Sequence, residues 1–586
     1  MLGVSPIKES ALSLPRLVLA LAVAAASLPA QVRIPIQKKV LPNGLTVMLV
    51  ERHNAPIFSA RFAFKAGSAN DPFGASGVAH VVEHMLFKGT TSYGLKQAGD
   101  YAKEQAFLQR EDALWDAIVV ETRALEEASR RQVYATGKPG PESSPKLEQL
   151  KKDFEAVQAE HRALVAQNDY GALYEAVGGT GINAGTAMDF TFYQVSLPKN
   201  RFEFWCRMES DRLANPVLRE FYTERDVIKE ERRMTLEDGT GGRGPMGVLV
   251  EPFQAAAFPY QPYGRTGIGP MSDLFNLKRS EVQAFLTKYY APNRAALVLV
   301  GDLKMEEILP SIEAYFGKMA RQEEPAPVHT VAPAQNGERR VSVEKDMTPM
   351  VRVGWHVPAV GHPDVPALNV LCEILSGGRT SRLYKRAVEG QELTTGFGVG
   401  YGDPGSKYPT LVTASATVKG EHTTQELEAC LYDELEKLKK DGPTQAEVTR
   451  VIRNAEMGVV KKLEDSDSLA TELAVTWSIT GDETAFLADL DRTKAVTPAD
   501  VQRVAKAYFT PQNRVVATLV RPANAGAKDP VDAQIEALLA KAIATQVSDA
   551  AQAKAILDQQ MGQIKALPKE KKAMLLQQLQ AQFGGK

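Results

Sequence analysis

Two patterns of apolar and polar residues recur along the chain. From Val40, VLPNGLTVMLVERHNAPIFSARFAFKAGS places two β-rich runs either side of an Asn43-Gly44 turn, and the second run alternates apolar with polar positions. A mostly apolar helical stretch follows. Much later, FLTKYYAPNRAALVLVGDL (Phe285 to Leu303) reads as a helix end, a Pro-Asn turn and a buried strand. The same order then repeats. MVRVGWHVPAVGHPDVPALNVLCEIL (Met350 to Leu375) is again strand, loop and apolar helix, and VAKAYFTPQNRVVATLVRPA (Val504 to Ala523) echoes the turn and strand. The pattern predicts an internally duplicated α+β protein, with halves at 33–325 and 341–525 joined by a proline-rich polar linker at 326–340.

The first copy is the longer one, and the surplus is visible. Residues from about 100 to 169 are rich in Glu, Gln, Lys, Arg, Ala and Leu at helical spacing, interrupted once by ATGKPGPESSP (Ala135 to Pro145). This predicts a long helical hairpin inserted in the first half, its charges most simply forming a solvated face. Residues 526–586 predict a helical tail.

Composition narrows the function classes. A chain of 586 residues is too long for one core. A formal net charge of -2 gives no global field for nucleic acid or an anionic membrane. Three cysteines far apart in sequence make neither a disulfide framework nor a metal set, and are expected to be buried apolar residues. Residues 1–30 carry Lys8 and Arg16, an apolar run from Leu17 to Leu28, and small residues before Gln31. That is the form of a secretory signal rather than of a membrane span. No later segment is long and apolar enough to span. An exported protein is expected, and the lack of disulfides favours a bacterial periplasm.

The chemistry lies in GVAHVVEHMLFKGT, Gly77 to Thr90. His80 and His84 are four residues apart, so a helix turns both imidazoles to one face, where they can share a metal ion. Glu83 is displaced by about a hundred degrees around the axis, which puts its carboxylate beside the metal rather than on it. On a helix otherwise made of Val78, Val81, Val82, Met85 and Leu86, three ionisable groups are costly unless coordinated or paired.

His-x-x-Glu-His is the inverzincin order, and the chain resembles the M16 (pitrilysin/insulin-degrading-enzyme) metallopeptidases, nearest to their processing-peptidase-like branch. LPNGLTVMLV, AHVVEHMLFKGT, GGTGINAGTAMDFTFYQVSLP, ERDVIKEERR, YYAPNRAALVLVGDL and SGGRTSRLYKR all resemble blocks of that family, in its order. The resemblance implies two homologous α/β-sandwich halves forming a clam-shell. It also implies one Zn²⁺ per chain on His80, His84 and Glu231, with Glu83 as general base. Glu224, two helical turns before Glu231, matches the family's carboxylate behind the ligands, and Glu230 is the rival of Glu231. Asn183 and Ala184 are implied to bind an extended peptide that adds to an edge strand. The gap from His84 to Glu231 is longer than in the family, and the helical insertion accounts for it.

The second half carries Asn369 and Glu373 near where histidines would fall, so no second metal site is expected. The arginine and tyrosine that the family's second half can contribute fall on Val388 and Thr395, with Arg386 and Tyr401 nearby but out of register. Hence the expected activity, a zinc endopeptidase cleaving unfolded peptides, has open alternatives. The chain could be the zinc subunit of a pair whose M16 partner supplies the arginine and tyrosine, a homodimer, or a non-catalytic scaffold.

Overall fold

Strand β3 (Ile57–Phe64) is buried at every residue after Ile57, although its sequence alternates as if one face met water. The computed structural model describes residues 34–328, 330, 332–522, 530–544, 547, 549–565, 567 and 569–583. The expected signal at 1–30 lies outside the described residues. Strands β1 (Ile36–Val40), β2 (Thr46–Glu51), β3, β4 (Thr180–Thr186), β5 (Thr191–Pro198) and β6 (Ala295–Gly301) form one sheet in the order β1-β2-β6-β3-β5-β4. All its pairs are antiparallel except β2 with β6. The second sheet repeats this order without an equivalent of β1. It runs β7-β11-β8-β10-β9, from β7 (Arg339–Glu344), β8 (Met350–Val357), β9 (Phe397–Asp403), β10 (Thr410–Thr417) and β11 (Arg514–Val520). Mixed α+β architecture, duplicated, is therefore what the chain adopts.

The helices that shape the site are α1 (Val78–Met85), α2 (Tyr101–Thr136), α3 (Pro145–Arg162), α4 (Phe221–Arg232), α5 (Pro245–Ala257) and α6 (Ser466–Thr480). On β3, Phe58, Ala60, Phe62 and Phe64 join the first half's main core with α1. The other face of the sheet, with Met48, Val50, Ala63, Ala296, Val298 and Val300, packs on Leu469, Leu473 and Trp477 of α6. Burying each large side chain this way contributes about 1.5–3 kcal/mol. Arg61 lies on that covered face, 1% exposed, and is matched there by α6: it pairs with Asp467 at 2.7 Å and donates to Thr471 Oγ1 at 3.0 Å. The second half thus covers the first half's sheet. The first half returns the contact, since Phe253 of α5 packs on β8. Gly354 makes room for it, because a Cβ there would stand 2.7 Å from the Phe253 ring.

Helices α2 and α3 lie side by side. Gly137 ends α2 in a left-handed turn (φ 73°), and Ser144 caps α3 by accepting the Leu147 N–H at 3.0 Å. Their outer parts are charged and exposed, but their base departs from the expected solvated face. There His161 sits 1% exposed between Glu111 (Nδ1 to Oε1, 2.7 Å) and Glu104 (Nε2 to Oε1, 3.3 Å). Arg219 binds both oxygens of Glu104 at 2.6 and 3.0 Å. It also donates to the carbonyls of Lys88, Thr90 and Tyr93, in the loop that leaves α1. Arg279 closes the network on Glu111 at 2.7 Å.

Burial pulls His161 down, but the hydrogen-bonded carboxylates outweigh it and lift its pKa to about 9. A folded pKa above the unfolded value of about 6.5 stabilises fully below pH 6.5. That stabilisation, about 3 kcal/mol, is lost as pH rises through about 9. Thermal unfolding followed by circular dichroism is expected to give a melting temperature that falls across this window, and His161→Gln to flatten the fall.

The helices 530–544, 550–565 and 569–583 form a unit with its own small core of Ile535, Met561 and Leu579. Cys206, Cys372 and Cys430 are buried and free. Among the described residues, no helix is long and apolar enough to cross a membrane.

Candidate metal centre

Helix α1 begins at Gly77, whose φ of 94° suits glycine and whose Cβ would sit 2.5 Å from the Ile268 carbonyl oxygen. Asp71 accepts the N–H groups of Gly77 (2.7 Å) and Ala79 (3.1 Å), which sets a carboxylate at the positive end of the helix. Burial raises this carboxyl to about 7, against those two hydrogen bonds and the nearby Arg265 charge. Val78, Ala79, Val81, Val82 and Met85 bury one face of α1, leaving His80 and His84 on the face turned toward α4.

The Nε2 atoms of His80 and His84 each lie 3.8 Å from Oε2 of Glu231 on α4. The three donor atoms all fall within 4.8 Å of one another. A tetrahedral zinc ion with bonds of about 2.0–2.1 Å holds its ligand atoms about 3.3 Å apart, so two imidazoles and a carboxylate at this spacing fit that ion with small side-chain adjustments. Protonation agrees. Burial first, then the neighbouring His84, pushes His80 down to about 3, leaving the neutral lone pair a metal needs. Burial also lowers His84, but the Glu224 hydrogen bond and the surrounding carboxylates outweigh it and raise the group.

Glu224 Oε2 meets His84 Nδ1 at 3.4 Å, on the side of the ring away from Glu231. Its other oxygen takes Lys88 Nζ at 2.5 Å. Burial raises Glu224, yet His84 and Lys88 outweigh that and hold it below the usual carboxylate range. His80 Nδ1 is buried without a hydrogen-bond partner among the described residues. Glu230 faces elsewhere: it is exposed and bonded to Arg233 at 2.8 Å.

Glu83 lines two cavities that flank the histidines, of about 440 and 720 Å³. Burial raises its pKa against hydrogen bonds from Thr186. Strand β4 is the edge of its sheet, bonded to β5 on one side only. Asn183 and Ala184 line the smaller cavity, and Gly185, Thr186, Ala187 and Met188 the larger. The smaller cavity is closed by Val165 to Tyr170, just beyond α3. The edge strand, Glu83 and the three metal-donor residues therefore converge.

From the second half, neither Val388 nor Thr395 reaches these cavities. Arg386 is tied to Asp433 and Glu434, and the Tyr401 hydroxyl donates to the Pro358 carbonyl at 2.9 Å. Asn369 and Glu373 are exposed. Arg352 and Asp403 line the larger cavity instead. Sequence reading missed these two, together with Asp71, Lys88 and Arg219. Lys88 alone had a local signal, four residues beyond His84.

Comparison with known proteins finds peptidases of one family. The "Insulinase (Peptidase family M16)" family model matches residues 46–106, and the "Peptidase M16 inactive domain" model matches residues 276–455. The zinc protease PqqE of Helicobacter pylori is 26% identical over 500 residues, 83% of this chain and 93% of that one. An uncharacterised zinc protease of Mycobacterium tuberculosis is 27% identical over 351 residues, 58% of this chain and 76% of its own. Among solved structures, a protease from Helicobacter pylori matches with a TM-score of 0.66 at 23% identity, over 83% of this chain and all of the other. The periplasmic protease PqqL from Escherichia coli matches with a TM-score of 0.60 at 18% identity, over 86% of this chain and 49% of that one. Two models of one peptidase family match here in order along a duplicated fold, an M16 peptidase domain at 46–106 and an M16 inactive domain at 276–455, and over both halves the chain is similar to the M16 zinc proteases.

Proposed function

We propose that this protein is a zinc-dependent endopeptidase acting on extended, unfolded polypeptide. The observation that carries the reading is the meeting of His80, His84 and Glu231 beside Glu83 and the edge of β4. We assign the zinc to those three ligands, one ion per chain, in a metal-bearing half at 33–325 that is followed by an inactive half at 341–525. When bound, zinc supplies Lewis acidity toward the scissile carbonyl and lowers the pKa of water.

The chain's own groups do the rest. Strand β4, through Asn183 and Ala184, pairs with the peptide backbone and lays the scissile bond across the histidine face. Such pairing selects extended chains over folded ones. Glu83, with its pKa raised by burial, takes the proton of the attacking water and returns it to the departing amine. Glu224, held ionised by Lys88, fixes the His84 ring through Nδ1 and makes Nε2 the more basic donor. Glu224→Ala is expected to weaken zinc binding by about 10–100-fold in competition with a chelating dye, with the melting temperature of the metal-free protein little changed.

The signal-like segment at 1–30 and the likeness to a periplasmic protease support export. A second reading is favoured by Val388 and Thr395, together with the engagement of Arg386 and Tyr401 elsewhere. On that reading an M16 partner, or a second copy of the chain, completes substrate binding. The test is digestion of an unfolded polypeptide by the purified zinc-loaded chain, read by mass spectrometry. Cleavage that stops on chelation and returns with zinc supports the self-sufficient enzyme. Bound zinc without cleavage supports a missing partner or a scaffold.

A further inference from the structure

The larger of the two cavities, about 720 Å³, is built by both halves and holds polar groups that the protein leaves unused. Gln254 on α5 is 5% exposed, and its Oε1 has no hydrogen-bond partner among the described residues. Thr266 is 6% exposed, and its Oγ1 has none among them either. Arg352 lies over the Phe253 ring at 4.7 Å and is anchored by Asp403, while its buried Nε is unpartnered. Arg243 stands exposed on the glycine-rich stretch GTGGRG, without an ion pair among the described residues. Buried polar atoms are rarely left unpaired in a folded protein; those of Gln254, Thr266 and Arg352 belong to residues lining this one cavity, and a turn of the Gln254 and Thr266 side chains toward it would let a ligand complete theirs.

The ligand's chemistry follows from what these groups offer. Guanidinium groups only donate, a hydroxyl can donate, and an amide can turn its NH₂ inward, since its O and N are interchangeable by a flip. All four therefore suit an acceptor with several lone pairs. Asp403 is neutralised by Arg352, and the zinc proposed for His80, His84 and Glu231 would offset Glu231 and Glu83, which leaves Arg243 as the cation without a partner among the described residues of this cavity. The smaller cavity has the opposite character, with Asp169, Glu220 and Glu224 against Lys88 alone.

We propose that the larger cavity is a subsite for an acidic side chain, Asp or Glu, of the bound polypeptide, with Arg243 as its charge partner and Thr266 and Gln254 as its floor. This rests on β4 as the peptide-binding edge, because Gly185, Thr186, Ala187 and Met188 line this cavity while Asn183 and Ala184 line the other. An extended peptide on β4 then presents its acidic residue on one side of the scissile bond only.

The experiment uses the full chain and a peptide mixture whose cleavage products identify the residues flanking each cut. Asp and Glu are expected to be enriched at one position on one side. A matched pair of peptides with Glu or Lys there is expected to differ at least about tenfold in kcat/KM, and Arg243→Glu to reverse that order. Thr266→Val is expected to shrink the Glu preference without reversing it. Equal rates for the pair, or a preference that Arg243→Glu does not move, overturns the subsite while leaving the peptidase reading intact. If no peptide is cut, the peptidase reading fails by itself. The subsite is then decided by fluorescence anisotropy of the same labelled pair on the Glu83→Gln protein: tighter binding of the Glu peptide supports it, and equal affinity overturns it.

Discussion

Glu83→Gln is expected to lower kcat for peptide cleavage by about a thousandfold while the protein still binds one zinc ion. General-base catalysis contributes about 10²–10⁴-fold, and three decades correspond to about 4 kcal/mol of barrier. Glutamine keeps the volume and the hydrogen bonding of the side chain but cannot take a proton. Glu83 is not among the three residues whose donor atoms meet, so zinc content, read by mass spectrometry of the native protein, is expected to stay at one per chain. Because burial raises the Glu83 carboxyl, the wild-type rate is expected to fall toward acid pH as that group protonates, and the acid limb to vanish in the residual rate of the variant. A variant that cuts as fast as wild type removes Glu83 from the chemistry.

What the sequence revealed of this arrangement depended on distance along the chain. His80, Glu83 and His84 lie within two helical turns, so helix geometry alone relates them. Glu224 and Glu231 are separated by two turns of α4 and share a face for the same reason. The duplicated order of strands and helices was legible because each copy repeats its turn chemistry, Pro-Asn in one and Pro-Gln-Asn in the other. Contacts between distant segments carried no such signal. Arg61 reads as the polar position of a half-exposed strand, but α6, some four hundred residues later, covers it and provides Asp467. Glu104 and His161 read as surface charge on a helical hairpin, yet Arg219 binds Glu104, and through it His161, into the loop that leaves α1. Arg352 looked like an ordinary strand residue, and only the packing of the two halves brings it to the cavity beside Glu83.

The choice between Glu231 and Glu230 gives the sharpest contrast in metal binding. Glu231→Ala is expected to abolish stoichiometric zinc binding and with it all cleavage, because two histidines alone make an incomplete set for the ion. The loss is expected to exceed the 10–100-fold assigned to Glu224, which touches His84 rather than the metal. Glu230→Ala is expected to leave zinc content and kcat/KM within about twofold of wild type. The neighbouring side chains point about a hundred degrees apart around α4. One is 3.8 Å from both histidines, and the other is exposed and bonded to Arg233. An exposed ion pair contributes at most about 1 kcal/mol, so the melting temperature is expected to move little when Glu230 is removed. Isothermal titration with zinc on the two variants, side by side, reads the difference directly. If Glu230→Ala lost zinc and Glu231→Ala kept it, helix α4 would have to turn by more than a quarter of its circumference on binding the metal, and Glu224 would leave His84 with it.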